Sequence, residues 1–349
     1  MRTFEVLSRP GRIYRRMLGD IKNAEKSIYL ETYIFDKDKV GNIFRKALEK
    51  KAAEGVKIRV LVDAWGSTAD KKFFGRLVCL GGEVRFFKEF KYAVRIFAKN
   101  HERDHRKLLI IDRKITFVGS VNITASCLKW RELVLRLDGD ISENFARSFN
   151  RFWNRKGKVD MKRINKIAYR GFEIIQDIPS TLFNPTEISY EHLINNAKKT
   201  ILIETPYFVP SLGIRQALKD AAQRGVEVKI AVPKISNVKS VNIIREAYLG
   251  ELWRCGAYIY YFNKFTHSKL MVIDNNYFIL GSSNMDYRSF RHQYDINLLG
   301  KDKKIIAVLK RYFDRTIFDC VLFDYKKWSS RSLSQKIGGF ILKSVRRYL

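Results

Sequence analysis

Short apolar runs rich in β-branched residues alternate along this chain with longer segments whose apolar positions recur every three to four residues. Ile28 to Leu30, Ile58 to Val62 and Val84 to Phe87 are of the first kind, and Val40 to Ala53 is of the second. Runs of that length bounded by glycine predict buried strands, and the three-to-four spacing predicts a helix with one apolar face. Strand and helix in alternation predict βαβ units, in which a mixed or mostly parallel sheet is flanked by helices on both faces, an α/β fold.

The same pattern occurs twice. Ile21-Lys-Asn-Ala-Glu-Lys-Ser-Ile-Tyr-Leu-Glu-Thr32 recurs as Ile194-Asn-Asn-Ala-Lys-Lys-Thr-Ile-Leu-Ile-Glu-Thr205. Gly55-Val56 before Ile58 to Val62 then matches Gly225-Val226 before Val228 to Val232, and Gly82 before Val84 to Phe87 matches Gly256 before Tyr258 to Tyr261. A tandem duplication of this kind predicts two pseudosymmetric lobes. Their expected bounds are 1–155 and 171–324, with a basic join at 156–170 and a basic tail at 325–349.

Each copy ends in His-x-Lys-x4-Asp-x6-Gly-Ser-x-Asn, from His105 to Asn122 and from His267 to Asn284. In extended chain, residues i and i+2 share a face, so His105 with Lys107, and His267 with Lys269, are expected to point the same way. A turn at Asp112 or Asp274 would bring Asn122 or Asn284 back beside the histidine. A phosphodiester needs a nucleophile, cationic and donor groups for its non-bridging oxygens, and an acid for the leaving alkoxide. Two imidazoles, two ammonium groups and two amides supply these with no metal or other cofactor required. Asn122, Asn284, Ser120 and Ser282 are the candidate phosphate ligands. Glu132 and Asp295 follow the asparagines at nearly equal offsets and are candidate carboxylates for holding an imidazole in one tautomer. Asp112 and Asp274 belong to the catalytic motif, yet their odd offset from the histidines places them off the reactive face, where fixing the turn or pairing with a base suits them.

Composition adds one strong fact. The 349 residues carry a formal net charge of +31, far beyond what solubility asks of a folded chain, so a polyanionic partner is expected. Nucleic acid and an anionic membrane surface both qualify. Cys79, Cys127, Cys255 and Cys320 lack zinc-ligand or redox-motif spacing and read as thiols in a reducing compartment. No stretch approaches the ~18 apolar residues of a spanning helix, which predicts a soluble or peripheral protein. His101-Glu-Arg-Asp-His105 matches a zinc-hydrolase pattern, but the second copy does not preserve it.

The doubled segment resembles the paired signature of the phospholipase D superfamily, and the resemblance runs from about Ile21 to Phe323. Glu31-Thr-Tyr-Ile-Phe-Asp36, Gly55-Val-Lys-Ile-Arg-Val-Leu-Val-Asp63, Thr205-Pro-Tyr-Phe-Val-Pro210 and Asn284-Met-Asp-Tyr-Arg-Ser-Phe290 are similar to bacterial cardiolipin synthases. The resemblance implies one active site between two lobes and a phosphohistidine intermediate formed without metal. His105 would then be the nucleophile and His267 the general acid, roles that the near-symmetry of the sequence allows to be exchanged. It further implies that one phosphatidylglycerol donates its phosphatidyl group and a second takes it up, releasing glycerol. Hydrolysis of phospholipid and cleavage of nucleic acid are the alternatives within the same chemistry, nucleic acid being the less favoured partner. A basic binding module without catalysis is opposed by the two intact motifs.

The chain departs from the best-known synthases in lacking N-terminal spanning helices, in Asp295 where glutamate is common and in Asp104 where asparagine often stands. From Tyr325 onward, Leu333, Ile337, Phe340, Ile341 and Val345 recur at helical spacing among seven Lys/Arg and no acidic residue. That pattern suits an amphipathic helix on an anionic bilayer, or one docked on the protein itself. A cytoplasmic protein, peripheral on the inner face of the cell membrane, is the expectation.

Overall fold

The computed structural model describes residues 3–88, 102–154, 166–180 and 183–331. In chain order the first lobe comprises β1 (Thr3–Leu7), α1 (Pro10–Lys22), β2 (Ser27–Thr32), α2 (Lys39–Ala53), β3 (Lys57–Asp63), α3 (Gly75–Cys79), β4 (Glu83–Phe87), β5 (Arg103–Asp104), β6 (Leu108–Ile111), β7 (Ile115–Gly119), β8 (Val134–Asp138) and α4 (Ile141–Trp153). The second comprises β9 (Lys166–Tyr169), β10 (Phe172–Gln176), α5 (Pro185–Asn196), β11 (Thr200–Glu204), β12 (Phe208–Val209), α6 (Leu212–Gln223), β13 (Glu227–Pro233), α7 (Lys239–Arg254) and β14 (Tyr258–Phe262). It continues through β15 (Leu270–Ile273), β16 (Tyr277–Gly281), β17 (Met285–Asp286), α8 (Tyr287–His292), β18 (Gln293–Tyr294), β19 (Ile296–Gly300), α9 (Lys303–Phe318), β20 (Cys320–Leu322) and α10 (Tyr325–Ser329).

The duplication is visible in the strand order. The first sheet runs β1-β8-β7-β6-β2-β3-β4, and the second contains β14-β13-β11-β15-β16-β19-β10, the same order strand for strand when read from its other edge. In each, three parallel strands (β2, β3, β4 or β11, β13, β14) join four antiparallel ones. The sheets are therefore mixed. β20 and β9 extend the second sheet at its two edges.

Three apolar clusters hold the layers. α1 and α2 cover the outer face of the first sheet through Ile13, Met17, Phe44 and Leu48, packed on Ile28, Val60 and Leu109. α5, α6 and α7 cover the second sheet through Ile194, Leu218 and Tyr248, packed on Ile203 and Ile230. The third cluster lies between the sheets and draws on both lobes, with Phe145 and Phe149 of α4 and Leu309 and Phe313 of α9 among strand residues such as Ile110, Leu135, Val272 and Leu298. Burial of residues from both halves in one core fixes the lobes against each other.

Two expected boundaries are corrected. β9 falls within the stretch read as a join, because Ile167 and Tyr169 pack on the shared core and pair with β10. The tail does not begin at 325, since α10 is docked on α7: Trp328 Nε1–H donates to Glu246 O at 2.7 Å and Tyr325 stacks on Trp253 at 4.3 Å. Leu333 and the later apolar positions lie outside the described residues. No helix among the described residues is long and apolar enough to cross a membrane.

Candidate active site

The two motif segments fold alike. His105 to Lys107 precede β6 in irregular backbone rather than beginning it, and Lys107 Nζ donates to His105 O at 2.6 Å. Lys269 Nζ makes the same 2.6 Å bond to His267 O, so each ammonium is tethered beside its histidine. At the far end of β6 the backbone turns through positive φ at Asp112 and Arg113, as it does at Asp274 and Asn275. Asp112 accepts from the N–H groups of Glu25, Lys26 and Ser27 at 2.9, 2.7 and 2.8 Å, and Asp274 accepts from Lys198, Lys199 and Thr200 at 2.7, 2.7 and 2.8 Å. Both carboxylates are thus occupied in seating the turn against the start of β2 or β11. Grouping them with the catalytic side chains is corrected on that ground.

Glycine and serine of the motif serve the neighbouring strand. A Cβ on Gly119 would lie 2.2 Å from Leu133 O, and one on Gly281 would lie 2.3 Å from Ile296 O, so only glycine admits so close an approach. The adjacent Ser120 hydroxyl donates to Glu132, and Ser282 donates to Asp295 at 2.6 Å. Each hydroxyl also accepts a backbone N–H, from Leu133 or Ile296, at 2.9 Å. Ser120 and Ser282 are fully buried in this role, which replaces their reading as phosphate ligands.

The carboxylates serve the histidine of the opposite lobe. Asp295 Oδ1 lies 2.8 Å from His105 Nδ1, and Glu132 Oε1 and Oε2 each lie 3.1 Å from His267 Nδ1. The crossing is reinforced in the backbone: His105 N–H donates to Tyr294 O at 2.9 Å, and His267 N–H donates to Arg131 O at 2.7 Å. β5 pairs with β18, and Arg131 bridges Thr266, so each histidine segment is stitched to the carboxylate segment of the other copy.

Both imidazoles line one cleft of about 380 Å³, with Asn122 and Asn284. Nδ1 is engaged in each ring, which leaves Nε2 as the nitrogen available to a ligand. The Ile34 N–H donates to Asn122 Oδ1 at 3.2 Å, turning the amide NH2 outward as a donor, while Asn284 Oδ1 is buried without a partner among the described residues.

Burial, with the adjacent ammonium group, pushes His105 down to about 3 and His267 down to about 4. Burial also depresses Lys107 to about 8, and burial with the neighbouring Lys107 brings Lys269 to about 7. For Glu132 and Asp295, burial opposes ionisation, but the facing histidine, the lysines and the serine hydroxyl outweigh it and hold both below the usual carboxylate range. Just below neutral pH the resting arrangement is two neutral imidazoles, two ionised carboxylates and two cationic lysines, and Lys269 is the first of the lysines to give up its proton as pH rises.

Comparison with known proteins decides the family. The family described as "Cardiolipin synthase, PLD-like domain" matches residues 17–153 and 190–317. The chain belongs to this family. A cardiolipin synthase of Listeria welshimeri is 34% identical over 91% of this chain and 69% of its own length. One from Clostridium perfringens is 33% identical over 95% of this chain and 74% of its own. A phosphatidylserine synthase from Haemophilus influenzae, 14% identical, superposes over 99% of this chain and 93% of that one with a TM-score of 0.77, which establishes the same fold.

This cardiolipin synthase family member carries cleft residues to which the motif spacing assigns no role. Tyr33 packs edge-on against His105 at 5.1 Å and Trp130 lies against His267 at 5.4 Å. Tyr207, Asp286, Arg288 and Gln293 also line it. For two of the lining residues the repeat holds a signal, because Thr32 Oγ1 donates to Ile34 O and Thr205 Oγ1 to Tyr207 O at 3.1 and 3.2 Å, so the same turn follows β2 and β11 and sets Ile34 and Tyr207 at equivalent places. In the zinc-like pattern, Glu102 pairs with Lys88 at 2.7 Å, His105 with Asp295, and His101 lies outside the described residues.

Proposed function

We propose that this chain makes cardiolipin by transferring a phosphatidyl group from one phosphatidylglycerol to another through a phosphohistidine. The observation that carries this reading is the pair of imidazoles held through Nδ1 by carboxylates of opposite lobes, with Nε2 of each available to one cleft. Nε2 of His105 attacks phosphorus, the bond to the glycerol oxygen breaks, and His267 gives that oxygen its proton. Glycerol leaves. A hydroxyl of the second phosphatidylglycerol gives its proton to His267 and attacks phosphorus, and the P–N bond breaks to free His105.

Charge balance supports the proton placement. With Lys107 and Lys269 both protonated, two ammonium groups and two carboxylates cancel while both imidazoles are neutral. A phosphodiester brings one negative charge, and a proton on one imidazole restores neutrality, so substrate binding raises the pKa of the histidine nearest the leaving group. Both histidines are depressed by burial and by an adjacent lysine, so either suits the neutral nucleophile, and the assignment of His105 to that role and His267 to the acid follows the family resemblance. Lys107, Lys269, Asn122 and Asn284 meet the non-bridging oxygens, with the lysines directed at transition-state charge. Anionic phospholipid as substrate accords with the net charge and with a peripheral place on the cytoplasmic face of the membrane.

Purified protein is to be incubated with phosphatidylglycerol vesicles and, separately, with single-stranded DNA, each with excess chelator. Cardiolipin and free glycerol in equal amounts are expected. Phosphatidic acid in place of cardiolipin would make the enzyme a hydrolase, and cleaved DNA with untouched lipid would overturn the lipid reading.

A further inference from the structure

A second cavity, larger than the catalytic cleft at about 520 Å³, lies on the other side of Trp130, which lines both. Its walls come from the end of β1 and the start of α1, from the segment before Glu132, from the loop after β14, and from the exposed face of α9. Arg9, Lys129, Lys264, Arg311 and Arg315 stand around it, all exposed, and Asp319 is the one acidic side chain among the described residues of the lining. None of those five cations is within ion-pair distance of a carboxylate among the described residues. The deepest cation, Arg131, is fixed by Tyr312 Oη at 2.9 Å and lies 3.7 Å from Glu204, so its charge is already answered. Val6, Leu128 and Val308 add apolar surface between the cations.

Five cations without an ion pair among the described residues face one carboxylate, Asp319, so the concavity carries a surplus of positive charge that an anion would offset, and the apolar patches favour a ligand that is only partly polar. We propose that this cavity binds the phosphate of an anionic phospholipid headgroup that does not itself react, seating the enzyme on the bilayer beside its catalytic cleft. The proposal rests on the reading that the chain works on anionic phospholipid. Its position also fits the site next door: Arg131 and Trp130, which border the cavity, precede Glu132, and Arg131 pairs in the backbone with the segment carrying His267.

The test measures binding of the full chain to phosphatidylcholine vesicles with and without phosphatidylglycerol, for three double variants. Arg311→Gln/Arg315→Gln alters one wall and Lys129→Gln/Lys264→Gln the other. Lys46→Gln/Lys50→Gln, on the exposed side of α2, removes the same charge elsewhere. Each wall variant is expected to lose about tenfold in affinity for the phosphatidylglycerol vesicles, while the control variant binds as the parent does. Thermal melts that coincide with the parent's exclude loss of fold, and two independent walls guard against one variant's misfolding.

Equal losses in all three variants would mean nonspecific charge and would overturn the proposal. So would unchanged vesicle binding accompanied by lost stabilisation by inorganic phosphate, which would make the cavity a free-phosphate site. Loss of single-stranded DNA binding with lipid binding intact would overturn it in favour of nucleic acid. Binding is also measured in the His267→Ala background, which is expected to bind phosphatidylglycerol vesicles as the parent does without turnover, and the parent's product is read separately, so that failure of this proposal is distinct from failure of the catalytic reading.

Discussion

Glu132→Gln keeps the shape of a side chain in the first lobe and removes its charge next to the histidine of the second. Both oxygens of Glu132 lie 3.1 Å from His267 Nδ1, and the carboxylate is fully buried. A hydrogen bond to a charged group is worth roughly 1.5–3 kcal/mol, so losing it as His267 becomes cationic should lower kcat about 10- to 100-fold. Glu132 also raises the His267 pKa against burial and Lys269, so glutamine drives it further below about 4, and the alkaline decline of kcat should move to lower pH. The informative assay compares phosphatidylglycerol with a p-nitrophenyl phosphodiester, whose leaving group needs no general acid. Glu132→Gln and His267→Ala should both recover the first step on the activated substrate, read as a burst of p-nitrophenol before a slow second step that still needs the base, whereas Asp295→Asn and His105→Ala should show no burst and remain slow on both. Grouping of Glu132→Gln with His105→Ala instead would refute the crossed pairing of carboxylate and histidine. Exchange of the two groups as wholes would keep the crossing and reverse only the nucleophile and acid.

Four further outcomes are expected. Ser120→Ala should lower kcat several-fold and stability by about 1 kcal/mol while leaving KM for phosphatidylglycerol unchanged, because the hydroxyl holds Glu132; a raised KM with normal kcat would restore the phosphate-ligand reading. Asp112→Ala should cost about 1–2 kcal/mol in urea unfolding by removing three bonds to backbone N–H groups, two of which water can reach, with near-normal kcat in the folded fraction, and an equal loss of kcat would place Asp112 in the chemistry. Both histidines have folded pKa values below the ordinary 6.5, so the unfolded chain binds more protons between about 4 and 6.5 and stability should fall as pH drops through that window. Replacing both by asparagine should flatten the pH dependence of the urea midpoint there. Lys269, brought to about 7, should lose its charge as pH rises through neutrality, and Lys269→Arg should extend the alkaline limb of whatever activity it retains.

Much of the fold was legible because a duplicated pattern tests itself. Ile58 to Val62 and its partner Val228 to Val232 fall inside β3 and β13, and Val40 to Ala53 falls inside α2, since the period of apolar residues reflects which face meets the core. The strand expected at His105 begins later, at Leu108, because the backbone N–H of His105 is taken by Tyr294 of the other lobe. Likewise β9 hid in a polar, basic stretch: Lys166 and Arg170 flank a run with few large apolar residues, and the edge strand exists because β10 offers it hydrogen bonds.

By itself the sequence determined the chemical inventory: two histidines, two lysines, two amides and two carboxylates at matching offsets, in a chain with a large positive charge. That Asp112 and Asp274 stand apart from the histidines was expected from a continuous strand that does not form at His105, and it is their bonds to the backbone at the start of β2 and β11 that place them there. Only the tertiary structure decided which carboxylate meets which histidine, because equal offsets in two copies are satisfied as well by pairing within a lobe as across it. Crossing follows from β5 with β18 and Arg131 with Thr266, contacts between segments more than a hundred residues apart. The serines and the basic cavity beyond Trp130 were decided in the same way, since a hydroxyl's partner and the convergence of five cations are properties of packed distances and leave no periodic trace along the chain.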